Sequence, residues 1–244
     1  MGTLSCSDTA PKEAPVTIEV VSQKITFDSV ARLGSHQSIA DISREYLSEG
    51  ELQRSRTESI EVAWNSWESF HFQRRVNGER IFEAIVHADT HASRGRRGPW
   101  RPEFDGEAAR MDVYTSWNAW DQALSGFRER IAFEDVGTTV VDGRAAQRFK
   151  LNLLPPPKRR TGSAKHRQFE PHRIEGEVVL DKATAVRLRV EAIAIEKKGE
   201  RTRKTTLKIR RTGIGQAQMI TVPAVQLGTP GDLLKKLPKR PQPQ

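Results

Sequence analysis

Residues able to do chemistry are sparse in this chain, and their spacing decides what they can do. His87-Ala88-Asp89-Thr90-His91 sets two imidazoles and a carboxylate at i, i+2 and i+4. On an extended strand they share one face, and two imidazoles with a carboxylate are three of the ligands that zinc accepts. A structural zinc site takes four, and no fourth can be named, so the plainer reading is a polar strand end entering a loop. Gly213-Ile214-Gly215 lacks the third glycine of a dinucleotide fingerprint and follows no βαβ pattern. No Gly-x-Ser-x-Gly elbow, phosphate-binding loop or His-Glu-x-x-His motif occurs. We therefore expect no catalytic residue, no metal and no cofactor.

The polar pair that stands out is Arg74 and Glu83, and it depends on the elements that position it. Between Ile60 and Val86, two runs of strand-forming residues flank Asn77-Gly78, the dipeptide a type I′ hairpin turn favours. A two-residue loop predicts Val76 opposite Glu79, Arg74 opposite Ile81, Phe72 opposite Glu83 and Phe70 opposite Ile85. That register puts Arg74 and Glu83 diagonally adjacent on a face shared with Phe70, Phe72, Val76, Ile81 and Ile85. Trp67, Phe82, Ala84 and Val86 then fall on the opposite face. The pair reads as a structural ion pair or as a polar contact for a lipid head group. Ile60, Val62 and Trp64 alternate with Ser59, Glu61 and Ala63, which adds a preceding strand and makes a meander.

The 244 residues suffice for one large domain and carry a formal net charge of +9. That excess is local. Lys158, Arg159, Arg160, Lys165 and Arg167 lie in an acid-free stretch at 155–168, and Lys235, Lys236, Lys239 and Arg240 lie in another at 233–244. A charge-balanced body with basic loops is not the pattern of a dedicated nucleic-acid groove, so no nucleic acid is expected. No run of about 18 apolar residues occurs. The single cysteine, Cys6, precludes an internal disulfide. Leu4-Ser5-Cys6 followed by a polar stretch resembles the end of a degenerate lipobox, which would make Cys6 a lipidation site; an incidental cysteine in an unstructured tail is the alternative.

Residues 1–15 read as a tether, 16–227 as a single domain with a basic loop insertion at 155–168, and 228–244 as a tail. Asp28-Ser29 could cap a helix running through Val30, Leu33, Ile39 and Ile42, although Ile42, Arg44 and Tyr46 also suit one side of a strand. Strands are expected near 57–64, 67–76 and 79–91. Trp117, Trp120, Leu124, Phe127 and Ile131 fall on one helical face, with Ser116 as N-cap, which predicts a helix lying on the sheet. Hairpins are expected at Asp142-Gly143, at Asp181-Lys182-Ala183-Thr184 and at Gly199-Glu200.

Meander, helix, meander is the resulting order. The phrases Val141-Asp142-Gly143-Arg144 leading into Phe149-Lys150-Leu151, and Gly176-Glu177-Val178-Val179-Leu180-Asp181 followed by Thr184-Ala185-Val186-Arg187-Leu188, join it to a family pattern. Over about residues 16–223 the chain resembles LolA-like, LolB-like and LppX-like carrier domains of the bacterial envelope. The resemblance implies a mainly β fold with helices (α+β): a strongly curved antiparallel sheet, an incomplete barrel, wrapped around one to three helices. It implies a non-enzymatic periplasmic protein, membrane-anchored through Cys6 or touching the membrane by its basic loop, with a lipid or acylated lipoprotein as partner. Trp64, Phe70, Phe72, Arg74, Glu83, Trp117, Trp120, Leu124 and Phe127 are the candidate ligand-binding residues. The competing classes are an envelope interaction module with a solid core, and a nucleic-acid binder stacking bases on Phe70 or Phe72.

Overall fold

The computed structural model describes residues 18–103, 106–156 and 169–223. Cys6, the tether, most of the basic loop and the C-terminal tail lie outside these residues. The chain enters through two short helices, α1 (Ile18–Val21) and α2 (Phe27–Leu33). Thr26, not Asp28 or Ser29, caps α2: its Oγ1 accepts from the Ser29 amide, and the Ser29 hydroxyl reciprocates on the Thr26 backbone. Gly34, at φ 85°, ends the helix. Ile39 and Ile42, assigned above to this helix, belong instead to a strand.

Six strands follow as a meander: β1 (His36–Ser48), β2 (Glu51–Ser66), β3 (Ser69–Val76), β4 (Glu79–His87), β5 (Thr90–Gly95) and β6 (Arg101–Pro102). After helices α3 (Glu107–Trp117) and α4 (Ala119–Ala123) and a 3₁₀ turn at Ser125–Phe127 come β7 (Ile131–Val141), β8 (Arg144–Leu153), β9 (Glu170–Asp181), β10 (Arg187–Lys198) and β11 (Arg201–Thr212). All eleven form one antiparallel sheet in the order β6-β5-β4-β3-β2-β1-β11-β10-β9-β8-β7. The first and last strands thus meet at its centre, and the helical segment carries the chain from one edge to the other.

This corrects the expected incomplete barrel. The edge strands β6 and β7 do not pair with each other, and the sheet is neither closed nor strongly curled. The long helix predicted from Ser116 to Ile131 does not form either; the segment is divided into α3, α4 and the 3₁₀ turn. Asn118 interrupts it, being at once the last cap of α3 and the first of α4. Its Oδ1 accepts from the Ile25 amide outside the helix (3.0 Å), and its Nδ2 donates to the Tyr114 carbonyl (3.2 Å) while its backbone amide turns to the Thr115 carbonyl, so the regular ladder ends here. Ser116 caps nothing; its hydroxyl donates to the Val113 carbonyl. Ile131 already belongs to a strand.

The Asn77-Gly78 turn forms as predicted, with φ of 50° and 79°, and Asp142-Gly143 repeats it at 52° and 77°. The register beyond the first turn does not follow. Val76 faces Glu79 and Arg75 faces Arg80, but Arg74 faces Phe82, Phe72 faces Ala84 and Phe70 faces Val86. Ile81 is the extra residue of a bulge, and a one-residue shift sends every later side chain of β4 to the other face. Phe70 and Phe72 therefore share the helix-covered face with Phe82, Ala84 and Val86. Glu83 and Ile85 go with His71 instead.

One apolar cluster fills the space between sheet and helices. Ala40, Ile42, Ile60, Val62 and Trp64 contribute from one half of the sheet, Leu188, Val190, Leu207 and Ile209 from the other, and Ala109, Val113 and Trp117 from α3. No helix among the described residues is long and apolar enough to cross a membrane.

Candidate functional site

The aromatic and aliphatic residues predicted to bind a ligand come together at this sheet–helix interface. Trp64, Phe70, Phe72, Trp117, Trp120, Leu124 and Phe127 are all buried. At one end the rings pack on one another: Trp64 meets Trp117 edge to face at 4.9 Å between centroids, and Trp67 meets Trp64 at 4.8 Å and Trp117 at 5.2 Å. Phe27 of α2 closes this cluster by stacking on Tyr114 at 4.5 Å. At the other end Trp120 and Leu124 border a small cleft of about 20 Å³ with Ser22, Asp121, Ile131 and Phe133. Two larger clefts, of about 410 and 480 Å³, are lined by none of the predicted residues.

Arg74 and Glu83 are not together, because the bulge puts them on opposite faces. Arg74 Nε donates to Glu58 Oε1 at 2.6 Å, and Glu58 is buried beneath it. Glu83 is held by His71 Nε2 (2.8 Å) and Arg94 Nε (2.6 Å) on the other face. Burial pushes the Glu83 carboxyl up, but the hydrogen bonds from His71 and Arg94 outweigh it and hold it below the usual carboxylate range. In each case an arginine satisfies a buried acid. The zinc pattern also dissolves: Ala88-Asp89 is a hairpin turn with Ala88 at φ 48°, so His87 and His91 sit on strands running in opposite directions. His87 Nδ1 pairs with the Ser69 hydroxyl at 2.9 Å. Among the described residues no three His, Cys, Asp or Glu side chains converge as a metal site.

No family model matches the chain, and no curated protein does. Among solved structures it is similar to MucB (15% identity over 83% of this chain and 62% of that one, TM-score 0.29). It is similar also to the Mycobacterium tuberculosis lipoprotein LppX (9%, 84% and 97%, 0.30) and to a LolA superfamily protein from Nitrosomonas europaea (8%, 84% and 93%, 0.23). The chain spans about three fifths of the MucB chain. Likeness at this level assigns no residue a role.

Three buried groups at the interface escaped sequence reasoning. Arg187 of β10 and Arg211 of β11 are each 1% exposed, and His36 of β1 is fully buried. Arg187 Nη2 donates to the carbonyls of Val21 (2.9 Å) and Gln23 (2.7 Å), and its guanidinium lies 5.5 Å from the Trp120 ring. Arg211 Nη1 donates to the Arg187 carbonyl. His36 Nδ1 bonds the Gly34 carbonyl at 2.8 Å. Burial and then the Arg211 charge push the His36 pKa down to about 4, against that hydrogen bond. A signal for Arg211 existed: it continues the alternation of Thr205, Leu207 and Ile209 on the covered face. Arg187 carried none, since it turns inward at a register shift between Arg187 and Arg189.

Proposed function

We propose that this chain is a non-enzymatic binding protein of the bacterial envelope that takes an acyl chain between the covered face of its sheet and its helical layer. One observation carries the reading. The apolar band from Trp64 and Phe70 to Trp120 and Phe127 is covered by helices of 4, 7, 11 and 5 residues and a 3-residue turn. Helices so short have little stability of their own and stay in place by what they bury, so an acyl chain offering equivalent apolar contact can replace them. Each methylene moved from water into the band contributes about 0.8 kcal/mol, enough over a fatty chain to offset lifting one or two helices. The cargo class is a lipid or an acylated lipoprotein, and Cys6 is the proposed anchor.

A polarity-sensitive fluorescent fatty acid titrated into the full chain tests this. Saturable binding competed by unlabelled oleate is expected; absence of binding removes the carrier reading. The tight ring packing of Trp64, Trp67 and Trp117 favours a second reading, an envelope interaction module whose interior is filled by its own side chains. Such a protein would bind no probe. Membrane fractionation of wild type and Cys6→Ser in a bacterial host tests the anchor separately: the variant should leave the membrane fraction, and unchanged partitioning discards it.

A further inference from the structure

Elsewhere in the described structure, buried acids are matched with basic partners. Glu58 has Arg74, Glu83 has Arg94 and His71, Glu196 has Arg203, and Asp181 has Arg144. Arg187 and Arg211 break the pattern, because no carboxylate bonds to either. Nε and Nη1 of Arg187, and Nε and Nη2 of Arg211, are buried donors without a partner. The unpartnered donors of Arg211 lie on one edge of its guanidinium. Arg144 and Arg203 clasp their carboxylates with Nε and Nη2, at 2.6–2.9 Å, and that same edge has no hydrogen-bond partner in Arg211. It is the planar fork that accepts a carboxylate or phosphate in two parallel hydrogen bonds.

Neighbouring charges make the need sharper. Burial first and then the Arg187 charge oppose the charge on Arg211, and burial first and then the Arg211 charge hold His36 toward its neutral form. Asp121 is the acid whose charge acts on Arg187, but its Oδ1 accepts from Arg128 instead, at 3.3 Å, and its buried Oδ2 has no hydrogen-bond partner. Two buried guanidinium groups side by side, neither hydrogen-bonded to a carboxylate, are unfavourable in an apolar interface unless an anion joins them. We propose that Arg211 and Arg187 form an internal oxyanion site, with the Nε–Nη2 edge of Arg211 as its clasp, that takes a phosphate or carboxylate group. The segment Val21–Gln23 lies over Arg187 and holds its Nη2 through two carbonyls, so anion entry exchanges those bonds for stronger, charge-assisted ones. The site shares the interface of the proposed acyl site but not its chemistry, and either can fail without the other.

The experiment is a thermal-shift and calorimetric titration of the full chain with inorganic phosphate, dodecyl phosphate and dodecanol. Dodecyl phosphate at about 100 times its Kd should raise Tm by about 5–10 °C. Binding at least about tenfold tighter than inorganic phosphate would identify a lipid head group as the anion's source; equal affinity would identify a free anion and remove the acyl reading alone. Dodecanol matching dodecyl phosphate, with no effect of inorganic phosphate, overturns the anion site and keeps the acyl one. No response to any of the three overturns both. Arg211→Met should raise the Tm of the ligand-free protein and abolish the phosphate-dependent shift, whereas a variant that keeps the shift overturns the proposal. Arg211→Lys, which keeps the charge and loses the fork, should weaken dodecyl phosphate at least about tenfold; unchanged affinity there would equally overturn the clasp.

Discussion

Trp64 of β2 and Trp117 of α3 meet edge to face, 4.9 Å between ring centroids, with neither ring more than 2% exposed. The contact ties α3 to the centre of the sheet. Trp117→Ala should therefore open a true void and cost about 3–5 kcal/mol by urea denaturation. Trp120 borders existing space, so Trp120→Ala should cost less and alter binding of the acyl probe instead. Equal losses in the two variants, together with a wild type that binds no probe, would mean that the interface is solid from end to end.

The bulge at Ile81 is testable through charge coupling. Arg74 touches Glu58 and lies on the face away from Glu83, so a double-mutant cycle between Arg74→Ala and Glu58→Gln should show about 1 kcal/mol of coupling. The cycle between Arg74 and Glu83 should be additive within about 0.5 kcal/mol. Coupling in the second cycle and none in the first would restore the unbulged register.

Asp181 anchors the turn between β9 and β10. Its carboxylate accepts two bonds from Arg144 (2.7 and 2.9 Å) and two from Thr184, from the amide (2.9 Å) and the hydroxyl (2.7 Å). Burial raises its pKa, but Arg144 and Thr184 together lower it more, so the net shift is downward. The stabilisation is complete above the unfolded-chain value near 3.9 and is lost as pH falls through the lower folded value. Asp181→Asn should cost about 1–3 kcal/mol at pH 7 and flatten the acid limb of the stability curve. An unchanged limb would show that Asp181 titrates normally.

His36 acts in a different window. With a folded pKa of about 4 against 6.5 unfolded, it adds stability that is complete above pH 6.5 and declines toward pH 4 as the unfolded chain alone takes up the proton. The loss amounts to about 3 kcal/mol. Urea unfolding of wild type and His36→Gln at pH 7.5 and pH 4.5 should show the wild type losing more; parallel losses would place the histidine outside this linkage.

What could be read before folding was what depended on neighbours in sequence. Asn77-Gly78 and Asp142-Gly143 are two-residue instructions, and both turns form. The alternation of Ile60, Val62 and Trp64 put those side chains on the covered face for the same reason. The register of β4 was hidden because Ile81 is an ordinary strand residue, and only packing on both sides of the sheet turns it into a bulge. The long helix failed at Asn118 because its side chain binds the backbone of Ile25, 93 residues away, which no helical periodicity can reveal. The buried arginines were hidden similarly. A strand pattern says which way a side chain points, and it does not say that nothing awaits it there.

The pairing of β1 with β11 also fixes an order of events. Every other strand pair is formed by strands consecutive in sequence, whereas Ile42 and Leu207 must find each other across most of the chain. Closure entropy makes such a junction slow relative to local zippering. Each half of the sheet can assemble by itself, and the central seam, with the bridging helices laid across it, completes late. Pulse-labelling hydrogen exchange during refolding should find β3–β4 and β9–β10 amides protected before those exchanged between β1 and β11. Until that seam shuts, two of the longest strands present bare edges at what will become the middle of the molecule, so aggregation during refolding should depend on residues that the finished protein keeps well inside.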